Sequence, residues 1–258
     1  MKDQRRKDWW NDVKPTQDLV VREKKSRSGG KLAICDIDRK ELKYKASKAP
    51  FRCNGCKELG FHPCYSCEEP CTFRLHRHCA DPQPVLVHDF FKECRFQWVQ
   101  SGRIPGKQYC DACGKLAKGF FYHCYGCGND LHPTCANLPR FLSYEGLKLE
   151  LKKKIPFNCC KCGWMNRKSG KGSWCYVSSC KTVAVHISCM KDMLQDNFLE
   201  NKRMAMPEVV FTEKKGRSEG NLAKIKKAFK IAVPVVLAAV LGDPVTFAVS
   251  VIAGLLST

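Results

Sequence analysis

QYCDACGKLAKGFFYHCYGCGNDLHPTCANLP, residues 108–139, sets Cys110, Cys113, Cys124, Cys127, His132 and Cys135 in the order CxxC, CxxC, HxxC. Three chemistries use such residues: a redox dithiol, a Cys/His nucleophile and a metal shell. A redox pair needs a low-pKa CxxC at a helix start inside a βαβ unit, and no such unit is legible here. A nucleophile needs one isolated thiol beside a base, whereas whole ligand sets are copied along this chain. A CxxC turn brings two sulfurs to one ion, and HxxC does the same at a helix start, so one of each closes a tetrahedral Cys3His shell. Such a shell leaves no open position for water, which makes it structural and not hydrolytic.

Working outward, FRCNGCKELGFHPCYSCEEPCTFRLHRHCADP (51–82) lies over the same pattern. Cys53, Cys56, Cys64, Cys67, His76 and Cys79 then stand opposite Cys110, Cys113, Cys124, Cys127, His132 and Cys135, with extra residues Glu68 to Cys71 in the earlier copy. FNCCKCGWMNRKSGKGSWCYVSSCKTVAVHISC (157–189) is a degenerate third copy, with Cys159, Cys162, His186 and Cys189 outside and Cys175 and Cys180 inside. In all, the chain has five CxxC and three HxxC units in order, an array that chance seldom produces.

The 258 residues carry 19 cysteines and a formal charge of +20. Small domains bury too little apolar surface to fold unaided and lean on disulfides or metals. The N-terminus, MKDQRRKDWWNDVKPTQ, has no apolar run of signal-peptide kind, so the expected setting is intracellular, cytoplasmic or nuclear, and the cysteines read as metal ligands. Each Cys3His zinc site carries a net −1, so three to five sites leave the folded chain at roughly +15 to +17, basic enough to attract phospholipid headgroups or nucleic acid.

The fold class expected is a set of small zinc-stabilised α+β modules, short antiparallel strands plus a short helix in three tandem repeats. A flexible basic lead-in (1–30) precedes them, and a linker (201–220) and a hydrophobic helical tail (221–258) follow. The modules are placed at 31–88, 89–142 and 143–200. TFRLH, KGFFYHC and TVAVHIS suit brief strands; LHRHCADP, LHPTCANLP and SCMKDMLQDNFL suit a helical turn or helix. LSYEGLKLELKKKI (142–155) alternates apolar and charged residues, as an edge strand or hairpin with one wet face does. Phe90, Phe91, Phe96, Trp98, Phe120, Phe121 and Tyr122 read as the apolar cores under the metal sites, and His62, His78 and His123 as packing or surface residues.

With the copies aligned, PFRCNGC, CTFRLHRHCA, YCDACG, GFFYHCYGC and DLHPTCANLP resemble the divergent C1 (C1-like, cysteine/histidine-rich) domain family of plants, over roughly residues 35–193. The resemblance implies two interleaved zinc sites per module. The outer sites it implies are Cys53, Cys56, His76, Cys79; Cys110, Cys113, His132, Cys135; and Cys159, Cys162, His186, Cys189. The inner site of the first module would take Cys64 and Cys67 with His88 downstream and Cys35 upstream. Cys71 is an alternative to Cys67, because Cys71-x4-His76 has the spacing of Cys127-x4-His132. The second inner pair, Cys124 and Cys127, would take Cys94; Cys175, Cys180 and Cys160 are too few for a third inner site. Three zinc ions are thus expected, up to five. Diacylglycerol-binding relatives use a loop of about thirteen residues between the two CxxC pairs, and the shorter loops here imply no diacylglycerol response.

NLAKIKKAFK (221–230) puts Leu222, Ile225 and Phe229 on one helical face, with Lys224, Lys226, Lys227 and Lys230 elsewhere. It leads into an apolar run, 231–256, that includes Val235, Leu237, Phe247 and Ile252 and is interrupted by Gly242-Asp243-Pro244. A span, a hairpin in one leaflet and a helix pair docked on protein are all open. The leading functional expectation is a non-enzymatic zinc adaptor in intracellular signalling or stress response, with protein partners and membrane contact through 221–258. Nucleic-acid binding and an enzyme, either a ubiquitin ligase or a thiol-disulfide oxidoreductase, are the alternatives.

Overall fold

The computed structural model describes residues 33–201 apart from 46–49, 61–62, 101, 145–146, 166–171 and 173. The lead-in 1–30, the linker beyond residue 201 and the tail with Lys224, Lys226, Lys227, Phe229, Lys230, Val235, Leu237, Phe247 and Ile252 lie outside the described residues.

Short antiparallel sheets carry the chain. β1 (Lys43–Lys45), β4 (Cys64–Ser66) and β5 (Arg74–Leu75) form one, and β2 (Phe51–Arg52) pairs with β3 (Leu59–Gly60). β6 (Val85–His88), β7 (Phe91–Val99), β8 (Phe121–His123) and β9 (Asp130–Leu131) form a second in that order. β10 (Phe141–Tyr144), β11 (Leu147–Lys152), β12 (Cys175–Ser178) and β13 (Ala184–His186) form a third. The helices are α1 (Arg77–Ala80), α2 (Pro133–Ala136) and α3 (Ile187–Asn201).

Segment 142–155 is the expected hairpin. In β11, Leu149 and Leu151 are buried while Lys148 is exposed and Glu150 and Lys152 half-buried, so the alternation sets the face. β10 is the edge; β11 is covered on its other side by β12. β6 lies at the end of the expected first module yet hydrogen-bonds to β7 in the second, with buried Leu86 opposite buried Phe96. One apolar core runs through the second and third sheets, around Trp174, Tyr122, Tyr176 and Phe96, whereas residues 33–79 close a smaller core of their own. Of the expected core aromatics, Phe96, Phe121 and Tyr122 are buried, and Phe90, Phe91, Trp98 and Phe120 pack half-buried against them.

Two glycines join the units. Phe120 N–H donates to Gly55 C=O across 3.0 Å, and Trp174 N–H donates to Ala112 C=O across 3.2 Å. Each of these carbonyls is the third residue of a cysteine turn, counting from Cys53 or Cys110. A Cβ on Gly119 would sit 2.0 Å from Gly55 O, and one on Gly172 would sit 2.4 Å from Gly114 N, so only glycine permits either approach. Each of the first two turns is therefore clasped by the segment that precedes the next sheet's inner strand.

Candidate metal centres

One backbone turn recurs five times. From Cys53, Cys110, Cys124, Cys159 and Cys35, the N–H donates to the carbonyl five residues on, and the residue four on returns its N–H to the cysteine carbonyl. The fifth position is left-handed in every case: Lys57, Gly114, Gly128, Gly163 and Arg39, with φ from 61° to 74°. The turn throws the side chains of its first and fourth residues to one side, where one ion can touch both. The fourth residue is Cys56, Cys113, Cys127, Cys162 or, in the Cys35 turn, Asp38.

Three of these turns meet a short strand that ends at, or just before, a histidine. The residue after the first cysteine donates its N–H to the strand two residues before that histidine: Asn54 to Arg74, Asp111 to Asp130, Cys160 to Ala184, each at 2.8 Å. The histidine starts α1, α2 or α3, and the cysteine three residues later completes the set. The ligand atoms of Cys53, Cys56, His76, Cys79, of Cys110, Cys113, His132, Cys135 and of Cys159, Cys162, His186, Cys189 lie within 4.8 Å of one another in each group. Individual separations are Cys56 Sγ to His76 Nδ1 3.3 Å, Cys113 Sγ to His132 Nδ1 3.4 Å, Cys162 Sγ to His186 Nδ1 3.5 Å and Cys159 Sγ to Cys189 Sγ 3.9 Å. A tetrahedral shell with zinc bond lengths requires about 3.5 Å between S and N and about 3.8 Å between sulfurs, so the donor set fits such an ion.

Second contacts orient the imidazoles. His76 Nε2 lies 3.2 Å from Leu59 O and His132 Nε2 3.2 Å from Leu116 O, which leaves each Nδ1 to face the thiols. His186 Nε2 is buried with no such partner among the described residues. Burial opposes ionisation of Cys53 and Cys110, but hydrogen bonds from neighbouring thiols and the facing imidazole outweigh it and hold both well below the usual thiol range. In the third set, the Cys189 hydrogen bond pulls Cys159 down to about 3 while Cys189 itself is raised. Each set thus holds a ready thiolate, as metal uptake needs.

The second inner group is the expected one, and the first is assembled differently. Cys35, Asp38, Cys67 and Cys71 form that first group, with Asp38 Oδ2 3.0 Å from Cys67 Sγ and Cys35 Sγ 3.7 Å from Cys71 Sγ. The thiol hydrogen bond of Cys67 holds the Asp38 carboxyl down at about 2, and that carboxylate in turn pushes Cys67 up to about 12. Cys64 is not in it. The pairs Tyr65–Leu75 and Tyr122–Leu131 set Cys67 opposite Cys124, so Cys64 sits in β4, buried, where Phe121 sits in β8. Counted this way, ten residues separate Cys56 from Cys67, as ten separate Cys113 from Cys124.

His88 is also elsewhere. Its ring packs 4.7 Å from that of Trp174, and its Nδ1 accepts the Phe90 N–H, because β6 belongs to the second sheet. Burial first, then Arg140 and Lys153, lower its pKa against the opposing pull of Asp89. Cys94, Cys124 and Cys127 form the remaining group, with Asn129 Nδ2 3.1 Å from Cys127 Sγ. Among the described residues Cys175 and Cys180 join no group: Cys175 is buried in β12, its thiol raised to about 12 by burial, and Cys180 hydrogen-bonds Ser178 and Thr182. Asp38 escaped the sequence reading; the signal was Cys35-x-x-Asp38, the turn's own spacing with a carboxylate for the second thiol. Of the histidines set aside, His123 pairs with Asp130 at 2.7 Å and His78 is half-buried in α1.

The chain finds no match among family models, none among curated proteins and none among solved structures. No helix among the described residues is long and apolar enough to cross a membrane.

Proposed function

We propose that the chain is a non-enzymatic zinc-binding adaptor of the divergent C1 kind, whose three tandem modules present rigid loops to protein partners in intracellular signalling or stress response. The observation that carries this reading is the closure of the three outer sets. Each offers three sulfurs and one imidazole at tetrahedral separations, and soft thiolates with imidazole select zinc over calcium or magnesium. Cys53, Cys56, His76, Cys79, Cys110, Cys113, His132 and Cys135 are all buried, which suits a metal that holds a fold together and not one that meets a substrate. Residues 221–258 serve as the membrane-contacting segment in this proposal, and diacylglycerol is not its ligand.

The test is zinc stoichiometry of the purified full chain by elemental analysis, with thiol titration before and after chelation. Three to five zinc ions per chain and thiols that react only after chelation are expected. Fewer than about two, or freely titrating thiols, would remove the metal reading and restore thiol redox chemistry. The charge of +20 supports nucleic-acid binding as a second reading. That reading requires RNA or DNA affinity that falls steeply with salt, and a flat salt response eliminates it.

A further inference from the structure

The second inner group is built unlike the others. Cys94 lies on β7 three residues before Gln97, which pairs with His123 of β8, so β7 carries Cys94 past that ladder to the turn that starts at Cys124. The turn presents Cys127 at its fourth position, and Cys127 is exposed. Cys94 Sγ and Cys127 Sγ stand 2.6 Å apart. Two sulfurs on one tetrahedral zinc ion are held about 3.8 Å apart. Cys159 and Cys189, at 3.9 Å, and Cys35 and Cys71, at 3.7 Å, have that spacing; Cys94 and Cys127 do not. Asn129 Nδ2 donates to both sulfurs, at 3.1 Å to Cys127 and 3.6 Å to Cys94, and so holds them side by side. Among the described residues this group has three donors, whereas each of the other groups has four, and the neighbouring His123 is paired with Asp130 at 2.7 Å.

We propose that Cys94 and Cys127 form an oxidative modification site, a dithiol that hydroperoxides convert to a disulfide. A disulfide places its sulfurs about 2.05 Å apart, so closure moves this pair by about 0.5 Å. Cys127 Sγ, the accessible sulfur, attacks a peroxide oxygen: an S–O bond forms, the O–O bond breaks, and the hydroxide that leaves takes up the Cys127 proton. Cys94 Sγ then attacks the Cys127 sulfur: the S–S bond forms, the S–O bond breaks, and the departing hydroxide takes up the Cys94 proton. Two thiols and one hydrogen peroxide thus give one disulfide and two waters, the sulfurs losing the two electrons that reduce the peroxide. The first inner group is no equivalent, because its exposed member is Asp38, a carboxylate that forms no such bond. The inference goes beyond the zinc reading and rests on it at one point: a bound ion would occupy both thiolates, so the pair reacts once that ion has left.

The purified full chain is therefore treated with hydrogen peroxide after brief exposure to a weak chelator, its zinc counted by elemental analysis before and after. Free thiols are alkylated and the non-reduced peptides mapped by mass spectrometry. Cys94–Cys127 is expected as the first disulfide, formed about tenfold or more faster than any bond among Cys35, Cys67 and Cys71, and removed by dithiothreitol. Cys127→Ser abolishes it, and zinc that still fills the three outer sets shows that this variant is folded. Cys180→Ser, which removes an exposed thiol outside the groups, leaves it unchanged. A first disulfide between other cysteines, Cys127 driven to sulfinic acid without Cys94 attached, or no oxidation at either residue overturns the site. A chain that holds fewer than about two zinc ions before chelation yet forms the Cys94–Cys127 bond first sinks the zinc reading and leaves this site standing.

Discussion

Gly119→Ala isolates the clasp on the first cysteine turn. Gly119 lies outside the left-handed region, so alanine suits its backbone and the added methyl is the whole perturbation. That methyl would stand 2.0 Å from Gly55 O, 2.9 Å from Cys56 C and 3.0 Å from Cys56 Cα, all backbone atoms that cannot swing aside. Restoring an ordinary carbon–oxygen contact of about 3.3 Å requires the segment to retreat by about 1.3 Å. The Phe120 N–H to Gly55 O bond, 3.0 Å long, is then lost. An unmade bond between buried groups costs about 1–3 kcal/mol. Loosening Phe120 from Trp98, whose rings meet edge-on at 5.4 Å, adds about 0.5–1.5 kcal/mol. The expected sum is about 1.5–4.5 kcal/mol, read from urea unfolding of the metal-loaded full chain. Cys56, 1 % exposed beneath the clasp, should also react faster with a thiol reagent. A loss below about 0.5 kcal/mol with unchanged Cys56 reactivity would refute the clasp, since surface changes without a structural role fall in that range.

Three further outcomes follow from the same geometry. Asp38→Ala should reduce metal content by one ion per chain while Asp38→Cys restores it; equal content and release rates in wild type and Asp38→Ala would exclude Asp38 as a ligand. Arg39→Gly should raise stability by about 0.5–1 kcal/mol in a urea melt by relieving a side chain at φ 61°, and a net loss would contradict that account. His88 titrates lower folded than unfolded, so its contribution is complete above about pH 6.5 and fades as pH falls through the depressed folded value. His88→Gln should flatten the stability–pH slope below pH 6.5 relative to wild type, and parallel slopes would count against this.

The outer ligand sets and the 142–155 hairpin were legible because spacing and alternation map directly onto a turn and a pleat. HxxC after an apolar residue suits a His and Cys presented together at a helix start, and the alternation puts Leu149 and Leu151 on one face of a strand. Cys64 misled because CxxC has the same spacing on a strand as in a turn; what separates them is the residue after the pair. Lys57, Gly114, Gly128 and Gly163 take the left-handed position that closes the turn, whereas Glu68 leads into a longer loop that reaches Cys71. His88 misled for another reason: the β6–β7 pairing depends on Leu86 meeting Phe96, which proximity along the chain does not reveal. The clasping glycines carry no local signature, because what they avoid is another segment's backbone.

Burial separates the first two outer sets from the two inner groups in kinetic kind. The first two outer sets are buried, so ions held there would leave only when the surrounding sheet opens, at the rate of local unfolding. Asp38 and Cys127 are exposed and Cys71 is half-buried, so a competing chelator can displace the inner ligands one at a time with the fold intact. A metal-loaded chain should therefore lose ions from the inner groups first as free metal falls, with the fold intact. Such a form would differ from the fully loaded chain in surface charge at the margins of the first two sheets, where Asp38 and Cys127 lie.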